Sequence, residues 1–177
     1  MRTNIDVEIQ TRSQTLDPLI DQFNNQHDKL RSLAVFSPMR TKWATQGARV
    51  VQTSILEKFK QADIRVTIVW IRMLPNDSIE TATNAARPFN DSRVRHFYDP
   101  EKQVGEAIAN SLNWEGRIAW DIYLFYDWGQ NWIDCPPFPI NYAHQLTNEW
   151  ADRDHYRVGN DLAESLMDSM GKMIQAN

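Results

Sequence analysis

The ten residues Ile64-Arg-Val-Thr-Ile-Val-Trp-Ile-Arg-Met73 constrain the fold more than any other stretch of the chain. They are rich in β-branched residues and carry apolar side chains at both odd and even positions, so the run needs cover on both faces. A strand covered on both faces belongs in the middle of a sheet with helices on either side. The segments that flank it carry helical patterns. Ala48, Val51, Ile55 and Phe59 share one face of a helical pattern over Gln46–Gln61. After the strand, Pro75-Asn-Asp-Ser78 turns the chain into a short helix over Ile79–Arg87.

The same alternation runs through the rest of the chain. Ile5, Val7 and Ile9 alternate with polar residues as a short edge strand. Asp17-Pro18 opens a helix whose stripe of Leu16, Leu19, Ile20, Phe23 and Leu30 extends it to about Arg31. Leu33–Ser37 is a strand, Val94–Tyr98 another, and Glu101–Leu112 a helix. Asp121–Tyr126 is a further buried strand. Asp127-Trp-Gly-Gln130 reads as a hairpin turn, with Asn131–Asp134 returning beside it. The remainder, through Met173, is expected to be mainly helical. This order predicts an α/β sandwich with a parallel core and one antiparallel edge.

At 177 residues, with no repeats and no Gly/Ser linker, the chain fits a single domain over 1–177. A formal net charge of −4 argues against broad attraction to nucleic acid. No run approaches the roughly 20 apolar residues of a membrane helix. The first fourteen residues contain no apolar signal core, so the expected location is cytoplasmic. The single cysteine, Cys135, excludes an internal disulfide and a multi-cysteine zinc site.

Three stretches together resemble the thioredoxin-like superfamily, in particular its thiol-disulfide oxidoreductase and peroxiredoxin-like branch. Leu33–Phe59 is similar to the active-site strand, loop and helix. Arg93–Pro100 followed by Val104-Gly-Glu-Ala107 is similar to that branch's inserted strand, turn and helix. Asp121–Gly129 followed by Gln130–Ile133 is similar to the terminal hairpin. The resemblance implies a thioredoxin-like three-layer α/β/α sandwich with a mixed sheet and extra N- and C-terminal helices. Its core would span about 33–134, with flanking helices at 15–31 and 141–175. It also locates two departures. The Cys-x-x-Cys tetrad falls on Thr41-Lys-Trp-Ala44, which has no sulfur. The position of the family's cis-proline falls near Trp120, where a cis bond would cost about 3–4 kcal/mol.

The loop before a helix gathers free N–H groups, and Arg40 and Lys42 stand beside them, so a small anionic ligand is a candidate occupant. Arg49 lies one turn further on. The implied binding face therefore consists of Arg40, Thr41, Lys42, Trp43, Trp120 and Asp121. Asp121, opening an apolar strand, is also a candidate acid or base, and Cys135 a candidate thiol nucleophile. His96, Asp99, His144 and Cys135 have no metal-binding spacing, so neither metal nor cofactor is expected. The proline-aromatic run Pro136–Pro139 offers a candidate protein-binding or homodimer surface.

The sequence thus predicts a redox-inactive binding or interaction module rather than an enzyme. The alternatives are an oxidoreductase working through Cys135 and a non-redox catalyst pairing Asp121 with His96.

Overall fold

The computed structural model describes residues 9–11, 15–39, 44–147 and 149–177; side chains at 9–11 and 44–46 are outside that description. Twelve segments build the sheet and its cover: β1 (Ile9–Thr11), α1 (Asp17–Asn25), β2 (Leu30–Phe36), α2 (Ala44–Val51) continued by a π-helical turn (Gln52–Leu56), β3 (Ile64–Ile71), α3 (Ile79–Ala86), β4 (Val94–Asp99), α4 (Gln103–Ser111), β5 (Ile122–Tyr126), β6 (Asn141–His144) and α5 (Gly159–Ala176). The sheet order is β1-β4-β3-β2-β5-β6. The first four strands in that order are mutually parallel, and β5 and β6 add antiparallel to β2 and to each other. As its composition requires, β3 is interior, between β2 and β4.

Each face of the sheet carries its own core. On one face Ala34, Phe36, Ile68 and Trp70 pack with Val51 and Ile55 of the α2 segment, Ala82 and Ala86 of α3, and Leu166 and Met170 of α5. On the other, Leu33, Val35, Val69 and Leu124 pack with Leu19 and Phe23 of α1 and Val104 and Ile108 of α4. This is the three-layer α/β/α sandwich with a mixed sheet that the sequence implies, with added helices at both ends. Among the described residues no helix is long and apolar enough to cross a membrane.

Three local expectations are corrected. The helix from Asp17 ends at Asn25, and Leu30 and Arg31 open β2, where both are buried. Asn131–Asp134 is not the returning strand. The backbone N–H of Trp132 donates to Asn24 Oδ1 (2.8 Å), and its carbonyl accepts from Asn24 Nδ2 (2.8 Å). That exchange ties this segment to α1 instead of to β5. The partner of β5 is β6, after the proline run, so helix does not begin at 141. Residues 141–144 are strand, and the C-terminal helix starts at Gly159. The expected edge strand lies partly outside the described residues; its visible part, β1, does form the sheet edge.

Candidate functional site

In the parallel part of the sheet, strand C-termini lead into helix N-termini, so free backbone N–H groups collect at one end. Asp77 organises that end. Its buried carboxylate accepts from Ser37 Oγ (2.8 Å) and Met39 N (2.9 Å) after β2, and from Met73 N (2.9 Å) and Leu74 N (2.7 Å) after β3. One carboxylate thereby fixes the chain as far as Met39, which precedes Arg40, Thr41, Lys42 and Trp43 in sequence. Those four candidates lie outside the described residues.

Trp120 and Asp121 are at the same end, because Ile122 pairs with Val35 near the end of β2. Trp120 is half-buried against the α1/α4 core. Its approach is set by α4: Ala119 N donates to Gly105 O (2.9 Å), and a methyl at Gly105 would stand 2.6 Å from Ile118 Cγ2. Asp121 is 1% exposed and has φ +45°, a left-handed backbone that costs about 1 kcal/mol in most residues but is better tolerated by Asp. Its carbonyl accepts from Gln145 N (3.0 Å), fixing it to the segment after β6. Two residues on, Tyr123 accepts from Gln145 Nε2 (3.1 Å), and burial, then the Asp121 charge, pushes its hydroxyl well above the usual range. Helix α2 presses directly on this group: a methyl on Gly47 would come within 2.5 Å of the Tyr123 hydroxyl. All peptide bonds among the described residues are trans, including those flanking Trp120.

The remaining candidates are not brought to this place. His96 is level with Tyr123 across β4-β3-β2-β5, three strand spacings away, so about 14 Å separates it from the Asp121 side of the sheet. It is 4% exposed, accepts a long hydrogen bond at Nδ1 from Trp70 Nε1 (3.3 Å), and burial lowers its pKa to about 4. Asp99 accepts from Glu101 N (3.1 Å) and Val104 N (2.8 Å), capping α4. His144 is fully buried; its Nδ1 accepts from Leu146 N (3.2 Å), which assigns the proton to Nε2, facing Asp152 O (2.8 Å). Cys135 is exposed in the β5–β6 connection. Since Tyr126 pairs with Arg31, that connection leaves the sheet at the opposite end from Ser37, roughly 20 Å along β2. Among the described residues no three His, Cys, Asp or Glu side chains are grouped to hold a metal.

A feature that the sequence reading did not single out lies on the α2/α3 side. A cavity of about 460 Å³ opens between these helices, with Trp70 and Phe89 as its buried wall, Ala48 and Ala85 on the facing helices, and Arg49 and Gln52 beside the opening. Its legible signals were the small residues at Ala48 and Ala85, which leave space between two helices, and a tryptophan near the C-terminal end of the central strand.

No family model matches the chain, and no curated protein sequence matches it. Among solved structures, it is similar to the solution structure of a "Putative Thioredoxin" from Neisseria meningitidis, at 16% identity and a TM-score of 0.37. That overlap covers 55% of this chain and 56% of the other, little more than half of either protein. The order and direction of the strands, not this partial overlap, define the fold described above.

Proposed function

We propose that this chain is a redox-inactive thioredoxin-like binding module that takes a protein or small anionic ligand at the strand end shaped by Asp77, Trp120 and Asp121. Arg40, Thr41, Lys42 and Trp43 would supply the rest of the face. The observation that carries this reading is the position of the chain's one thiol. The connection that carries Cys135 leaves the sheet at the end opposite that face, which supports a binding role there that does not use the thiol. A dithiol cycle would need a second cysteine, which the sequence lacks.

The test is dithiothreitol-driven reduction of insulin disulfides by the full chain and by Cys135→Ser. The expected result is the uncatalysed rate for both. Turnover by the native chain that Cys135→Ser abolishes would replace this reading with a one-cysteine reductase.

A further inference from the structure

We propose that the α2/α3 cavity is a second binding site, for a small flat aromatic anion, independent of the Trp120–Asp121 face. Three observations support it. The first is size and lining: about 460 Å³ suits a small molecule, and two aromatic side chains form the wall. Aromatic walls favour flat, apolar bodies through offset or edge-on ring packing.

The second is charge. Among the described residues, Arg49 lines the cavity, is exposed and makes no ion pair, and no acidic side chain lines the cavity. In a protein of net charge −4, a single uncompensated guanidinium beside an apolar recess selects an anionic group on the ligand.

The third is an unsatisfied polar atom. Gln52 opens the π-helical turn, where Glu57 N reaches back five residues to Gln52 O (2.9 Å). The Gln52 amide nitrogen is committed to Glu57 Oε1 (3.3 Å), while its amide oxygen is buried with no hydrogen-bond partner. Buried acceptors are normally satisfied, and an interrupted helix of this type is frequent at functional sites. A ligand bearing one donor beside its aromatic body would satisfy that oxygen.

The test titrates the full chain with two probes of similar shape: 8-anilinonaphthalene-1-sulfonate, which is anionic, and N-phenyl-1-naphthylamine, which is neutral. Both carry one N–H. Binding is followed by fluorescence and by the indole resonance of Trp70 in nitrogen–proton correlation spectra. Both probes should bind one site and shift Trp70. Arg49→Gln should weaken the sulfonate about fivefold and leave the neutral probe within about twofold. Ala85→Trp should abolish both. The Trp70 shift in the native chain decides the matter even where Ala85→Trp fails to fold. An unshifted Trp70, or equal loss of both probes in Arg49→Gln, overturns the proposal.

Discussion

The two ends of the sheet are secured by opposite charges. Where the parallel strands begin, arginines hold carbonyls. Arg31 Nη1 donates to Phe23 O (2.9 Å) and Nη2 to Asp127 O (2.6 Å), and Arg93 donates to Phe59 O (2.7 Å) and Leu56 O (2.8 Å). Where the strands finish, aspartates hold N–H groups, as Asp77 and Asp99 do. The polarity of parallel strand–helix units explains the division. Helix C-termini present free carbonyls at one end, and helix N-termini present free N–H groups at the other. A donor-rich end is suited to ligands with acceptor groups, whereas both arginines at the other end are already engaged by the chain's own carbonyls.

The comparison breaks most sharply on the two clamps. Asp77→Ala strands several buried donors and should cost about 3 kcal/mol in urea unfolding; Arg31→Met should cost a similar amount. Only Asp77→Ala should also weaken ligand binding in the folded protein, since it alone releases the chain beside both candidate sites. Equal effects on binding would mean that the ends do not differ in function.

His96, in β4 between the two ends, gives the next effect. Its pKa falls from 6.5 to about 4 on folding, so the folded state favours the neutral ring. The stabilisation is therefore complete above about pH 6.5 and is lost as pH falls toward 4, by up to about 3 kcal/mol. His96→Phe should flatten that part of the pH–stability curve. An unchanged curve would assign the acid sensitivity elsewhere.

Backbone strain at Asp121 gives a smaller difference. Both Asp121→Ala and Asp121→Gly remove the carboxylate, but only alanine retains the steric cost of φ +45°. Alanine should be about 1 kcal/mol less stable than glycine by thermal unfolding. Smallest of all, Cys135→Ser should change stability by no more than about 0.5 kcal/mol, because the side chain is exposed.

The sequence was most legible where burial and periodicity agreed. The apolar run at Ile64 became the interior strand β3, and the order of alternating elements produced the expected sandwich. It misled where local spacing competed with tertiary contacts. Leu30 fits a helical stripe, yet it opens a strand buried between two layers. Asp127-Trp-Gly-Gln130 has the chemistry of a tight turn, but Asn24 captures the backbone of Trp132 before it can pair with β5. Pro136, Pro137 and Pro139 cannot donate to a sheet ladder, so bonding to β5 resumes only after them, with Ile140 N donating to Phe125 O (2.9 Å) just before β6. For the candidate site, Trp120 and Asp121 were named from the thioredoxin-like resemblance, and β5 does place them at the strand end that follows β2. The Asp77 clamp was missed because its partners come from two separate loops, and the cavity because it is a space between helices rather than a motif.

The sharpest alternative is that binding occurs at the arginine end. Trp128 (53% exposed), Ile133 (78%), Phe138 (59%) and Ile140 (50%) all lie in the connection that leaves it. A residue-by-residue chemical-shift map with 8-anilinonaphthalene-1-sulfonate decides between the ends. Shifts are expected in the second half of β2 and β3, in the α2 segment and in α3, with 127–140 unmoved. Shifts centred on 127–140, with Trp70 and Ala85 unmoved, would contradict binding at the donor-rich end.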